Sequence, residues 1–159
     1  MTRIGSLTIV ATALLATAPL AAQTTPAPTL TPVAATPAPL SPADEARFLA
    51  LGKTYTRWFL TGKADSLMAA IAPEMAEKVG GIDGLREGMN QVAEKAGVET
   101  KVTEEKLTRR KGQLQFWHAG LFTELEGDEL VIRWIIEDDG KISGIGIGPK
   151  SQAPPTDAP

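Results

Sequence analysis

The segment Leu130-Val131-Ile132-Arg133-Trp134-Ile135-Ile136-Glu137, followed by Asp138-Asp139-Gly140-Lys141, decides the fold class. Leu130, Ile132, Trp134 and Ile136 fall on alternate positions, the period of a strand with one buried face. Asp139-Gly140 is a hairpin-turn signal, so Lys141 to Ile147 reads as the returning strand. Working backwards, Gly127 and Gly112 mark two earlier turns. They bracket a strand over Gln113 to Glu124 and another over Val98 to Arg109. Leu114, Phe116 and His118 share one face of the first of these, and Val98, Thr100 and Val102 one side of the second. With the alternating set around Trp134, Leu114, Phe116 and His118 are expected to point inward.

Before Val98 the period is helical. Ser41-Pro42 with Asp44 three residues after Ser41 resembles a capping box with proline at the first helical position. Phe48, Leu51, Tyr55, Trp58 and Phe59 then make one broad apolar face, and Gly62 is a stop signal. A short second helix has Asp65 as candidate N-cap, Leu67, Met68 and Ile71 as its apolar side, and Pro73 just past its end. A third carries Ile82, Leu85, Met89 and Val92 on one stripe and ends at Gly97. Helices first and about four antiparallel strands afterwards argue an α+β fold, with the helices packed on one face of a curved sheet. Phe48, Leu51, Tyr55 and Phe59 should then pack on Leu114, Phe116, Leu130 and Ile132.

No charged residue falls between Arg3 and Asp44. Residues 1–22 read as a secretory signal peptide: Arg3 is the positive n-region, Leu7 to Leu15 the apolar run, and Leu20-Ala21-Ala22 the small-residue exit. That run is short for a membrane span and Pro19 interrupts it, so cleavage near Ala22 and an exported chain, periplasmic or secreted, are expected. Residues 23–40, almost wholly Pro, Ala and Thr, form a semi-rigid linker. Between Ala43 and Gly148 the one proline is Pro73, which sets the folded domain at residues 41–149 and leaves 150–159 as a disordered tail.

Composition removes several function classes. Without cysteine there is no disulfide, no thiolate chemistry and no lipobox. With a single histidine, zinc sites built on nitrogen and sulfur ligands are excluded, and no metal or cofactor is expected. The net charge of −3, with its charges scattered, argues against nucleic acid and against an anionic membrane as partners. Gly144, Gly146 and Gly148 form G-x-G-x-G, but no helix follows to hold a phosphate. Glu137-Asp138-Asp139 lacks the spaced ligands of a calcium loop. S-x-x-K and G-x-S-x-G are both absent, so serine-hydrolase chemistry is not in this chain.

Trp58-Phe59-Leu60-Thr61-Gly62-Lys63-Ala64-Asp65, then Ile71-Ala72-Pro73-Glu74-Met75, the Gly81 to Arg86 helix start and the Glu137 to Gly144 hairpin follow one another in a familiar order. Together they resemble the small exported domains of the NTF2-like superfamily, of the domain-of-unknown-function 3887 type found beside bacterial serine hydrolases. The resemblance implies a cone: a sheet curled around a helix to leave a pocket. The superfamily includes isomerases, hydrolases and many members with no chemistry, so the fold does not choose. Because no second catalytic group can be named beside His118, the chain reads as a noncatalytic binding or interaction module of the bacterial envelope, its pocket or outer face engaging a small apolar ligand or an envelope protein. The alternative the resemblance implies is a small pocket enzyme using His118 as general acid or base on an apolar substrate. Tyr55, Trp58, Phe116, His118 and Trp134 are the candidate ligand-binding residues. Strand parity turns Trp117, Val131, Arg133 and Ile135 to the outer sheet face, where the resemblance implies a homodimer or an envelope partner.

Overall fold

The computed structural model describes residues 39–157. The expected signal peptide and nearly all of the expected Pro-rich linker lie outside the described residues. Helix α1 spans Pro42–Leu60, α2 Ala64–Ala70, α3 Pro73–Lys78 and α4 Gly81–Ala96. Strands β1 (Glu99–Arg110), β2 (Gln113–Phe122), β3 (Leu130–Ile136) and β4 (Ile142–Pro149) follow. They form one antiparallel meander in the order β1-β2-β3-β4, with the helices packed on its inner face. The α+β reading therefore holds. No helix of the described residues is long and apolar enough to cross a membrane.

Ser41 caps α1 as read, its hydroxyl accepting the Asp44 N–H at 3.1 Å, but the Asp44 carboxylate accepts from that same hydroxyl at 2.6 Å and not from the Ser41 N–H of a true capping box. Two helix readings need correction. Asp65 is not the N-cap of α2; the helix opens after Lys63, and Asp65 in its first turn accepts from Arg86 of α4 at 3.1 Å. Pro73 does more than end a helix, since it opens the extra helix α3 at the position where a missing N–H costs nothing. Gly97 closes α4 with φ +77°, a conformation that other residues rarely hold.

The inward set of β2 and β3 is as the alternation requires. Phe48, Tyr55 and Phe59 of α1 form one buried cluster with Phe116, Leu130, Ile132 and Trp134, flanked by the half-buried Leu51 and Leu114. A Cβ at Gly52 would run into the Phe116 ring, so α1 lies as close to β2 as a backbone can. The polar tips in this core are paired: Trp134 Nε1 donates to Thr56 Oγ1 at 2.8 Å, and Tyr55 OH to the Gly140 carbonyl at 2.6 Å.

Strand β1 departs from simple alternation. Its register against β2 slips between Glu99 and Lys101 and again between Val102 and Glu104, leaving Thr100 and Thr103 as the extra residues of two bulges. Each threonine hydroxyl donates to a carbonyl of β2, Leu121 at 3.1 Å and Ala119 at 3.0 Å. The residues that pair with the inward Phe122, Gly120 and His118 are thus Glu99, Val102 and Glu105. Of Val98, Thr100 and Val102, the two valines share a side and Thr100 leaves it. A bulge at every third residue converts the strand's period of two into three.

The tail is also bound, where fraying was expected. After a single 3-10 turn at Lys150–Gln152 it runs across the outer sheet face. Lys150 N–H donates to Glu129 O at 2.8 Å, and Ser151 Oγ to Asp128 at 2.9 Å. Ala153 packs on Trp117, Ala119 and Val131, and the Asp157 carboxylate takes the Lys111 and Gly112 N–H groups at 2.9 and 3.0 Å.

Candidate functional site

The bulged half of β1 stands across a pocket from α1. On the helix side Lys53, Arg57 and Thr61 follow one another at four-residue spacing, which aligns them along one edge of α1. On the strand side stand Glu99, Val102 and Glu105, with His118 of β2 behind them. The end of α4, through Ala93 and Gly97, closes the third side. The pocket is half open to solvent, with a volume of ≈ 630 Å³, within the usual range for small-molecule sites.

His118 is buried at 2% exposure and meets a carboxylate at each ring nitrogen. Nε2 lies 2.6 Å from Glu99 Oε1, and Nδ1 lies 3.3 Å from Glu105 Oε1. The second Glu105 oxygen is 2.7 Å from Lys53 Nζ. A buried imidazole with two bonded nitrogens is a satisfied polar group in an otherwise apolar layer. Glu105 shows competing influences. Burial raises its carboxyl, but the hydrogen bonds from Lys53 and His118 and their charges more than reverse this, so its pKa lies below the ordinary value. Gly120 makes room for the arrangement, because a Cβ there would clash with Glu99 Oε1.

Of the ligand-binding residues read from sequence, only His118 reaches this pocket. Phe116 and Trp134 are fully buried in the core and Tyr55 nearly so, while Trp58 is half-buried, with its ring centroid 5.8 Å from that of Tyr55. None of these four lines the pocket. Lys53, Arg57, Glu99 and Glu105 were not read as site residues. The available signal is the failure of alternation through Glu99-Thr100-Lys101-Val102-Thr103-Glu104-Glu105, where Thr100 and Thr103 recur three residues apart, one at each slip. Among the described residues no cluster of His, Asp and Glu has the geometry to hold a metal ion.

The outer face carries Trp117, Val131, Arg133 and Ile135 as parity requires. It is not an open apolar patch, however: Trp117 is 7% and Val131 1% exposed, with Ala153 packed against them. Arg133 and Ile135 remain half-buried. Comparison with protein-family models, with curated proteins and with solved structures gives no match.

Proposed function

We propose that this chain is an exported, noncatalytic binding module built as an NTF2-like cone, with the pocket in front of His118 as its ligand site. One observation carries the reading: the histidine at the back of the pocket already has both ring nitrogens engaged by carboxylates. A general base needs a free nitrogen aimed at the proton it removes. His118 has none, so its task is to fix Glu99 and Glu105 in the pocket wall. The alternative, His118 as general acid or base on an apolar substrate, needs one carboxylate to swing away and leave its partner unpaired. A homodimer or envelope partner on the outer face retains only Arg133 and Ile135 as half-exposed contacts, so the reading rests on the pocket.

Export is supported by the Leu7 to Leu15 run and the small residues at Leu20-Ala21-Ala22. N-terminal sequencing of exported protein should find the chain starting near Gln23; an intact Met1 in a membrane pellet counts against it. The pocket is tested by native mass spectrometry of gently purified protein. A retained small molecule is expected, and it should be lost in Val102→Arg, which fills the pocket from β1. An empty wild-type protein, together with no rise in melting temperature across a panel of small metabolites, overturns the reading.

A further inference from the structure

The charge balance of the pocket identifies the class of molecule it takes, an inference that rests on the pocket reading above. We propose that the ligand is an amphiphilic monoanion, an apolar body carrying one carboxylate, with Arg57 as its charge partner.

The two hydrogen bonds around His118 require two protons shared among Glu99, His118 and Glu105. An imidazolium between two carboxylates supplies them. So does a neutral imidazole beside one carboxylate and one carboxylic acid. Either distribution leaves the trio with a single negative charge, and the Lys53 ammonium, 2.7 Å from Glu105, cancels it. The cluster is therefore closed in both hydrogen bonds and charge.

Arg57 stands one helical turn beyond Lys53 on the same pocket wall. Its guanidinium has no hydrogen-bond or ion-pair partner among the described residues. The lining thus carries one uncompensated charge, and it is positive. A guanidinium presents a planar fork of donors that matches a carboxylate in two places at once.

The apolar half comes from a separate observation. Among the described residues the only exposed large hydrophobic side chains are Val98, at 71%, and Val102, at 46%, and both line this pocket. Leu60 faces them from α1. Exposed apolar side chains gathered in one concavity mark a contact surface for an apolar body. A purely apolar ligand would leave the Arg57 donors desolvated, a cation would meet like charge, and a dianion would exceed the one free charge available.

Calorimetric titration of the full chain with octanoate, octan-1-ol and octylammonium tests this, since the three share a tail and differ in the head. Octanoate should bind most tightly. Arg57→Gln should weaken octanoate about tenfold, the effect of losing one charge-assisted contact, and leave octan-1-ol unchanged. The backbone amide signals of Val98 and Val102 should shift during the titration. If octanoate binds no more tightly than octan-1-ol, or if Arg57→Gln leaves it unaffected, the charge assignment is wrong while the pocket reading survives. If octylammonium binds most tightly, the pocket belongs to a cation and the proposal is overturned. If none of the three binds and no signal moves at Val98 or Val102, both the proposal and the pocket reading fail.

Discussion

The two faces of the sheet use the same strands and reach opposite degrees of completion. Inside, under α1 and α4, the polar tips within the core are paired: Trp134 with Thr56, Tyr55 with Gly140, His118 with two carboxylates. Outside, under the tail, Trp117 Nε1, Gln115 Oε1 and Thr108 Oγ1 are buried with no hydrogen-bond partner among the described residues. A helix brings many side chains to a sheet and can match its polar groups. A single extended strap brings few, and it secures itself by backbone contacts at its two ends, Lys150 and Asp157. The inner face should therefore govern folding, and the outer face should open at little cost.

The largest effect belongs to the inner core. Phe116 is fully buried against Gly52, and Phe116→Ala should cost about 3–5 kcal/mol by lost transfer and by the cavity it leaves. Chemical denaturation measures this. A loss below ~1 kcal/mol would mean that the helix-covered face contributes no more than the strap-covered one. Next comes His118→Ala, which strips two part-buried carboxylates of their shared partner and should cost about 2–3 kcal/mol. Gly120→Ala should mimic part of that loss by pushing Glu99 off His118 without touching the histidine itself.

The sequence makes the inner core legible and the pocket opaque, for a physical reason. Leu114, Phe116 and His118, like Leu130, Ile132, Trp134 and Ile136, lie on strands that keep an alternation of two through these residues, so their direction follows from counting. Glu99, Val102 and Glu105 lie on a strand with two bulges, where counting by two assigns Val102 to the wrong set. Which threonine becomes the extra residue depends on the carbonyls of the neighbouring strand, Leu121 and Ala119, which belong to the tertiary structure. The strap was missed on similar grounds. A proline-bearing tail with few apolar residues reads as frayed, and its far anchor, Asp157, acts only once the Lys111-Gly112 turn exists to receive it.

A smaller effect separates the polar part of the inner face from its dry part by pH. The Glu105 carboxyl lies below the ordinary range in the folded chain, so the unfolded chain binds its proton more readily. The stability this group contributes is complete above the ordinary carboxylate pKa and is lost as pH falls through the lowered folded value. Lys53→Met removes the ammonium that holds the carboxyl down. Because Lys53 is half-exposed, the cost at neutral pH should be only about 0.5–1 kcal/mol. The gap between wild type and variant should close as pH falls through the lowered folded value, below which the carboxyl is protonated in both folded and unfolded chains. Parallel melting curves across that acid range would show that Lys53 does not act through Glu105.

The smallest effect is on the outer face, and it is best read locally. The Asp157 carboxyl is held below its ordinary pKa by the Gly112 and Lys111 N–H groups it accepts, in a turn where both residues have positive φ, 52° at Lys111 and 78° at Gly112. Asp157→Ala leaves those two donors to water and reduces that end of the strap to one backbone bond, from the residue 157 N–H to Arg109 O at 2.7 Å, while Lys150 and Ser151 still hold the other end. Global stability should scarcely change. The Trp117 indole N–H, buried without a partner, should shift and exchange faster with solvent, while the Trp134 indole, bonded to Thr56 beneath the helices, should stay where it is. Indole signals in nitrogen–proton correlation spectra of the two proteins decide it. If both move together, the strap is coupled to the helical core and the two faces are one cooperative unit. If neither moves, Trp117 is covered by its strand neighbours, with Lys106 5.4 Å from its ring, and the strap adds nothing to its burial.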